Sequence, residues 1–408
     1  MIGFSILLVY WAWILFWTIV FGTFHTIGVL HRARRRKPGP DLDRPPISIL
    51  KPLAGIDVGL EKNLESFFQF DYPKYEIIFS VHSITDPAVD TAKRVMAKYP
   101  AIPARLIVSG PCRQARNPKV INTAPAFELA QYEWVFMADS TLRLAPDFLT
   151  RCAMYFSPET GSVSAVVTTA SAAGLGGRLE HVLMNTFNVR ALYLGRYLKL
   201  PFVWGKAVLF RRSVVESFGG VRSLENYLAE DFVLGTRIQR AGYKTVMMDE
   251  PALEYAWAST FMDYWKRQLR WGRTRRFFSL TLAMLTPFGS SLVSGLIGAW
   301  ALKSLFGIPF GISLASHYAI WFACDVWLFK ELGQTYSLEA FGAWVLRELL
   351  DVPLWFATMM GSTVEWKGQK FLILGEDTRL VPAPGDENRR AIAKTLDSTL
   401  VECGPTSS

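Results

Sequence analysis

The sequence predicts an α/β chain built on a parallel sheet with crossover helices, enclosed by apolar segments of membrane length. Between Pro45 and Ala170, short runs rich in β-branched and aromatic residues alternate with stretches of helical pattern. A charge-free run, Ile2 to Gly22, precedes that region, and further apolar runs follow it. The chain has 408 residues and is 50% hydrophobic, more than a soluble protein of this size requires.

In order along the chain, a helix of about 21 residues at about 1.5 Å rise crosses the roughly 30 Å hydrocarbon layer, so Ile2 to Gly22 can span. No basic region precedes this run, and it is longer than a signal-peptide core. An uncleaved anchor is therefore expected over residues 1–30. The cluster His31 to Lys37 comes next, and the positive-inside bias assigns it, with the 31–277 domain behind it, to the cytosol. Strands are expected at Ile47–Leu53, Tyr75–Val81, Ala104–Ser109, Glu133–Ala138 and Ser162–Thr168. Helices are expected at Leu60–Phe70, Pro87–Tyr99, Asn122–Ala130 and Pro146–Phe156, with proline at several starts as first-turn chemistry favours. Gly174, Gly176 and Gly177 read as a turn.

Apolar stretches at Leu280–Leu305, Gly307–Leu328 and Phe341–Met360 define a transmembrane or interfacial region, 278–363. The first of them is interrupted by Pro287, Gly289 and Gly295. Three crossings would put the polar tail, 364–408, opposite the central domain, whereas two crossings plus an interfacial helix would keep it on the same side.

Composition removes several function classes. The net charge of +9 is concentrated in two clusters, one after the anchor and one at Lys266–Arg276, and both adjoin apolar runs. Anionic lipid headgroups explain that placement better than nucleic acid, for which no binding module is present. Cys112, Cys152, Cys324 and Cys403 lack the spacing of a disulfide framework or zinc site. Neither a Gly-x-Gly-x-x-Gly turn nor a Walker loop follows a strand, which argues against dinucleotide redox chemistry and P-loop hydrolysis.

The chemistry-bearing residues lie where open α/β sheets gather ligands, beyond the carboxyl ends of strands. Asp139 ends the fourth strand beside Ser140 and Thr141, and a hard cation, Mg²⁺ or Mn²⁺, could bridge its carboxylate to substrate phosphates. Asp86 precedes Pro87 and reads either as a helix cap or as an acceptor for a nucleotide's base or ribose. Lys119, in Asn117-Pro118-Lys119, is either a loop lysine or a point charge for a diphosphate. Glu230 and Asp231 open a helical pattern, where acids suit the helix dipole and where Asp231 could also serve as a general base. Arg267 and Arg270 share one helical face, suited to diphosphate binding or to lipid contact, and Trp271 suits an apolar boundary or the lining of an acceptor channel.

These segments resemble the ceramide glucosyltransferases over nearly the whole chain. The likeness runs through Leu50-Lys51-Pro52-Leu53-x-Gly55-x-Asp57, Asn63-Leu64-Glu65-x-Phe67-Phe68, Asp71-Tyr72-Pro73-Lys74-Tyr75-Glu76 and Asp86-Pro87-Ala88-x-Asp90. It continues through Asn117-Pro118-Lys119, Asp139-Ser140, Ala229-Glu230-Asp231 and Arg267-x-x-Arg270-Trp271. The resemblance implies a glycosyltransferase A fold, with a Rossmann-like nucleotide-sugar domain, and inversion at the anomeric carbon. It assigns Asp86 and Asp139 to nucleotide-sugar and metal binding, Asp231 to the base position, and Arg267, Arg270 and Trp271 to the element beside the diphosphate and acceptor. The expected reaction moves one sugar, glucose above others, from a UDP-sugar to the primary hydroxyl of ceramide or a related membrane lipid. Transfer to diacylglycerol or a hopanoid, processive polysaccharide synthesis, and a non-catalytic nucleotide-sugar or lipid receptor are the alternatives.

Overall fold

The computed structural model describes residues 2–110, 116–170, 173–199, 203–255, 259–278, 280–286, 290–366, 369–374 and 379–382. In the first half, α1 (Ile2–Arg35) leads into β1 (Ile47–Pro52), α2 (Leu60–Phe67), β2 (Tyr75–Val81), α3 (Ala88–Lys98), β3 (Ala104–Val108), α4 (Pro118–Glu128), β4 (Trp134–Ala138) and α5 (Phe148–Ala153). There follow β5 (Thr160–Ser164), β6 (Val167–Thr169), α6 (Gly174–Leu183), a π-helical turn at Met184–Asn188, α7 (Val189–Tyr197), β7 (Ala207–Arg211) and α8 (Arg212–Glu216). The rest comprises α9 (Glu230–Arg240), β8 (Lys244–Met247), β9 (Ala252–Glu254), α10 (Phe261–Phe278), α11 (Leu280–Leu285), α12 (Ser291–Phe306), α13 (Phe310–Glu331), α14 (Leu338–Met359), β10 (Thr363–Trp366), β11 (Gln369–Leu374) and β12 (Arg379–Pro382).

The main sheet has seven strands in the order β3-β2-β1-β4-β7-β5-β8. From β3 to β4 the strands are parallel, but β7 runs antiparallel to both β4 and β5, so the sheet is mixed where an all-parallel one was expected. Strand order reverses between β1 and β4, which opens a crevice at their carboxyl ends. One face of the sheet carries a core that includes Ile47, Phe67, Phe79 and Phe136; the other packs Leu50, Ile78, Val135 and Phe210 against α4 and α9. This side-to-side alternation along β1, β2 and β4 is why those strands read as uninterrupted apolar runs.

The expected strand Ser162–Thr168 is two strands, because the chain leaves the main sheet after Ser164 and β6 pairs with β9 instead. The glycines of 174–177 do not form a turn but open α6, whose backbone lies against 259–260 so closely that a Cβ at Gly176 would sit 2.0 Å from the Thr260 carbonyl oxygen. The stretch Leu280–Leu305 is divided between α11 and α12; Pro287 and Gly289 lie outside the described residues, as do Cys112 and Cys403. Cys152 and Cys324 are buried and free.

Several cations of the two basic clusters have protein partners among the described residues. Helix α1 covers residues 2–30 of the expected anchor and continues without a break into the basic run as far as Arg35; there Arg32 pairs with Asp249 at 3.2 Å and Arg34 with Glu331 at 2.8 Å. On α10, Lys266 pairs with Glu365 at 3.0 Å, Arg267 with Glu180, and Arg273 and Arg276 donate to carbonyls of 357–361 at the end of α14. Cations there complement the helix's negative pole.

Among the described residues one helix, α13, is long and apolar enough to cross a membrane, and α12 is a shorter apolar helix. Helix α14 is apolar outward and charged inward: Leu338, Phe341, Val345, Leu349 and Phe356 are exposed, while Arg347 and Glu348 are buried. A buried Arg190–Asp325 pair, with the Trp344 indole donating to Asp325 at 2.8 Å, clamps α13 and α14 to α7. Within the expected polar tail, the described residues 364–366, 369–374 and 379–382 belong to a three-stranded sheet, β10-β11-β12. It packs Val364, Phe371, Ile373 and Leu380 on Leu228, and the Leu380 N–H bonds the Asn226 carbonyl at 2.8 Å.

Candidate active site

The crevice between β1 and β4 brings together most of the residues expected to act. Asp139 leaves β4 with its N–H bonded to the Lys206 carbonyl at 3.0 Å. Its own carbonyl accepts from Lys51 Nζ at 2.6 Å. Lys51 is wholly buried on β1, with its ammonium 3.5 Å from the Phe67 ring centroid. Burial pushes that ammonium well below the usual lysine range, opposed by Asp139 and Asp57. A charged residue inside an apolar strand was the available sequence signal for this support.

Lys119 is neither on a loop nor exposed. Asn117 caps α4, accepting from the N–H groups of Lys119 and Val120 at 3.0 and 3.2 Å, and Pro118 occupies the first turn, so the helix starts four residues before the expected Asn122. Lys119 Nζ then reaches Asp139 Oδ1 at 2.9 Å, Glu230 Oε1 at 3.4 Å and the Gly205 carbonyl at 2.7 Å. Burial alone would lower its pKa, but Asp139, Glu230 and Asp231 prevail and hold it above the ordinary lysine value. The result is a cation locked between acids from two distant parts of the chain.

Asp231 lies in the first turn of α9. Its Oδ2 accepts from the Gly205 N–H at 2.9 Å and its Oδ1 from the Phe232 N–H at 2.8 Å. Burial raises its carboxyl to about 6, helped by the neighbouring Glu230 and opposed by the Gly205 N–H and Lys119. Glu230 is tied on both oxygens, by Lys119 and by Asn117 Nδ2 at 3.0 Å. Asp231, held only by backbone N–H groups and with its carboxyl raised by burial, is the acid placed to accept a proton.

Gly205 makes this arrangement possible. A Cβ there would stand 2.7 Å from Asp231 Cβ and 2.9 Å from its Oδ2. Gly205→Ala is expected to displace the carboxylate and lower turnover by about 100-fold, the scale of a misplacement near 1 Å, with UDP binding largely kept. Turnover and UDP titration on the same preparation check this; native turnover would show that Asp231 tolerates displacement. The sequence reading missed this glycine, which only the Trp204-Gly205-Lys206 string could have signalled.

The remaining candidates divide. The Arg270 guanidinium makes no hydrogen bond or ion pair to protein among the described residues, and its carbon is 4.7 Å from the Trp366 ring centroid. Burial lowers its pKa to about 10, opposed by Glu230, Asp139 and Asp231, so it stays cationic beside the acids. Trp271 packs edge-on to Trp204, with centroids 6.3 Å apart. Arg267 points to buried Glu180. Asp86 has both carboxylate oxygens on the Gly55 N–H, at 3.0 and 3.1 Å, and one on the Ala88 N–H at 2.8 Å, so it braces the loop after β1 against the start of α3. That loop carries Asp57, whose carboxylate takes the Ser140 hydroxyl.

The oxygen set suits a cation shared with a ligand rather than one caged by protein. No cluster of three or more His, Cys, Asp or Glu side chains able to hold a metal occurs among the described residues. Asp139, with a side chain 26% exposed, has one oxygen on Lys119 and the other without a protein partner among the described residues, and the next residue, Ser140, donates its hydroxyl to Asp57. One carboxylate supplemented by substrate phosphates is the usual way a protein holds Mg²⁺.

An α/β sheet with an acid at its switch point, an adjacent lysine and a buried carboxyl beside them is the setting of a glycosyltransferase. The chain belongs to glycosyl transferase family 21, whose model matches residues 14–379. It is 27% identical over 365 residues to ceramide glucosyltransferase 1 of Caenorhabditis elegans, covering 88% of this chain and 77% of that one. It is 25% identical over 462 residues to ceramide glucosyltransferase of Komagataella phaffii, covering 90% of each. A solved mannosyltransferase from Pyrobaculum calidifontis, in complex with GDP-Man and Mn²⁺, superposes with a TM-score of 0.48 at 17% identity, over 86% of this chain and 99% of that one.

Proposed function

We propose that the chain transfers glucose from UDP-glucose to the primary hydroxyl of ceramide at the cytosolic face of a membrane, giving an inverted β-glucoside. The observation that carries this reading is a near-neutral carboxyl, Asp231, fixed by two backbone N–H groups beside the Asp139–Lys119 pair. The names of the relatives support the donor and acceptor. The domain at 31–277 holds the chemistry, and α1, α12, α13 and the outward apolar face of α14 hold it to the bilayer.

In this mechanism UDP-sugar lies across the carboxyl ends of β1 and β4 with its diphosphate facing Arg270. Asp139 would hold a divalent cation, Mg²⁺ or Mn²⁺, jointly with the diphosphate oxygens, and the chemistry such an ion supplies is neutralisation of charge on the departing UDP. Lys119 keeps Asp139 and Glu230 at a fixed spacing. Asp231 takes the proton from the lipid hydroxyl, whose oxygen bonds to the anomeric carbon as the bond from that carbon to the UDP oxygen breaks. Lipid tails stay in the bilayer, since extracting them would cost about 0.8 kcal/mol per CH₂.

The test is incubation of the purified protein with a panel of UDP-sugars and with ceramide, diacylglycerol and hopanoid acceptors, read by product mass and anomeric NMR. A single β-glucose on ceramide is expected; a ladder of sugars or a different lipid product would overturn the assignment. A pH profile adds a second check. Because a base must be ionised and the Asp231 carboxyl sits at about 6, activity is expected to fall as pH drops through that value, by about tenfold per unit below it. The limb belongs to the adjoining Glu230 and Asp231 together. Undiminished kcat/KM at pH 5 would remove Asp231 from the base role.

A further inference from the structure

Helix α10 sets Arg267, Arg270, Arg273 and Arg276 at intervals of three residues, and their surroundings differ. Arg267 is paired with Glu180, while Arg273 and Arg276 donate to carbonyls at the end of α14 and the start of β10. The Arg270 guanidinium alone of the four has no hydrogen-bonding or ionic partner in the protein among the described residues, and it lies against Trp366. Trp366 ends β10, which is fastened on several sides: Lys266 pairs with Glu365 at 3.0 Å, and β10–β12 pack on Leu228, three residues before Asp231. The ring and the catalytic carboxylate therefore stand on one platform.

We propose that Trp366 is a positioning residue for transfer, holding the Arg270 guanidinium by its face so that its in-plane N–H groups stay turned to the sugar diphosphate. Ion pairing to a carboxylate would have occupied those donors; stacking on an indole uses the π face and leaves the edge free. The Arg270 side chain is long and flexible, and without the ring it would have to be ordered at the moment of binding. This inference rests on the reading of Arg270 as a diphosphate ligand.

The experiment compares Trp366→Leu, Trp366→Phe and Arg270→Ala, and the Trp366→Leu/Arg270→Ala double variant, in the full chain in native membranes. Transfer is assayed against UDP-glucose and ceramide. Trp366→Leu is expected to raise the KM for UDP-glucose by about three- to tenfold with the ceramide KM unchanged, and Trp366→Phe to restore it to within about twofold. In the Arg270→Ala background, Trp366→Leu is expected to add nothing, since the two act as one unit. Equal losses in the Leu and Phe variants, an unchanged donor KM in Trp366→Leu, or additive effects would overturn the proposal. Unchanged donor KM in Arg270→Ala would instead overturn the diphosphate reading beneath it. Should Trp366→Leu fail to fold, Trp366→Met, which keeps apolar volume against the Leu228 cluster, takes its place in the comparison.

Discussion

Asp231→Asn is expected to lower the rate of sugar transfer by about 10²- to 10⁴-fold, the usual contribution of general base catalysis, while UDP binding stays close to native. The amide keeps the volume of the carboxylate, and its oxygen can still accept from the Gly205 or Phe232 N–H. What it loses is the ability to take a proton. Arg270 and Asp139 are untouched, so a donor titration on the same membranes separates lost chemistry from lost binding. Activity within tenfold of native would show that another group, with Glu230 the nearest, removes the hydroxyl proton. The pH limb near 6 should disappear with the carboxyl, which gives the variant a second readout.

Lys119→Met is expected to cost about 3 kcal/mol or more of stability at neutral pH as well as activity, because removing one partner of a buried ion cluster leaves the other charges uncompensated. The lysine side chain is 15% exposed and sits between Asp139 and Glu230, with Asp231 nearby. A lysine whose pKa is raised in the folded protein contributes its full stabilisation below the unfolded value, near 10.4, and loses it only as pH rises through the folded one. The native contribution is therefore complete at pH 7. In the variant the stranded acids repel one another, and protonating them relieves the strain. The deficit in Tm against native should accordingly be larger at pH 7.5 than at pH 5. An equal deficit at both values would mean that Lys119 matters for packing alone.

Much of the frame was legible because its signals are local. β1, β2 and β4 are short apolar runs bounded by Pro and Asp, and they fall where the alternation places them. Asp139 could be assigned to a strand end from Trp134 to Ala138 alone. Partnerships across the chain were not legible. Nothing local to Asn117-Pro118-Lys119 announces a lysine buried against an acid more than a hundred residues later, and a cap plus first-turn proline reads equally well as a surface helix start. The arginines of α10 show the same limit. Their three-residue spacing winds them around α10, and Glu180, the end of α14 and Trp366, which take them up, are all remote in sequence. The antiparallel β7 escaped because it follows the long helical excursion of α6 and α7.

The contact between Lys266 and Glu365 also constrains how the chain is threaded. Both residues lie beside the same platform, one just before the apolar helices and one just after them. Any passage through a bilayer between 279 and 362 must then be matched by a return, so the number of traverses in that interval has even parity. A reporter fused after β12 would share a compartment with one inserted between α3 and β3, whatever the depth of the loop joining α12 to α13.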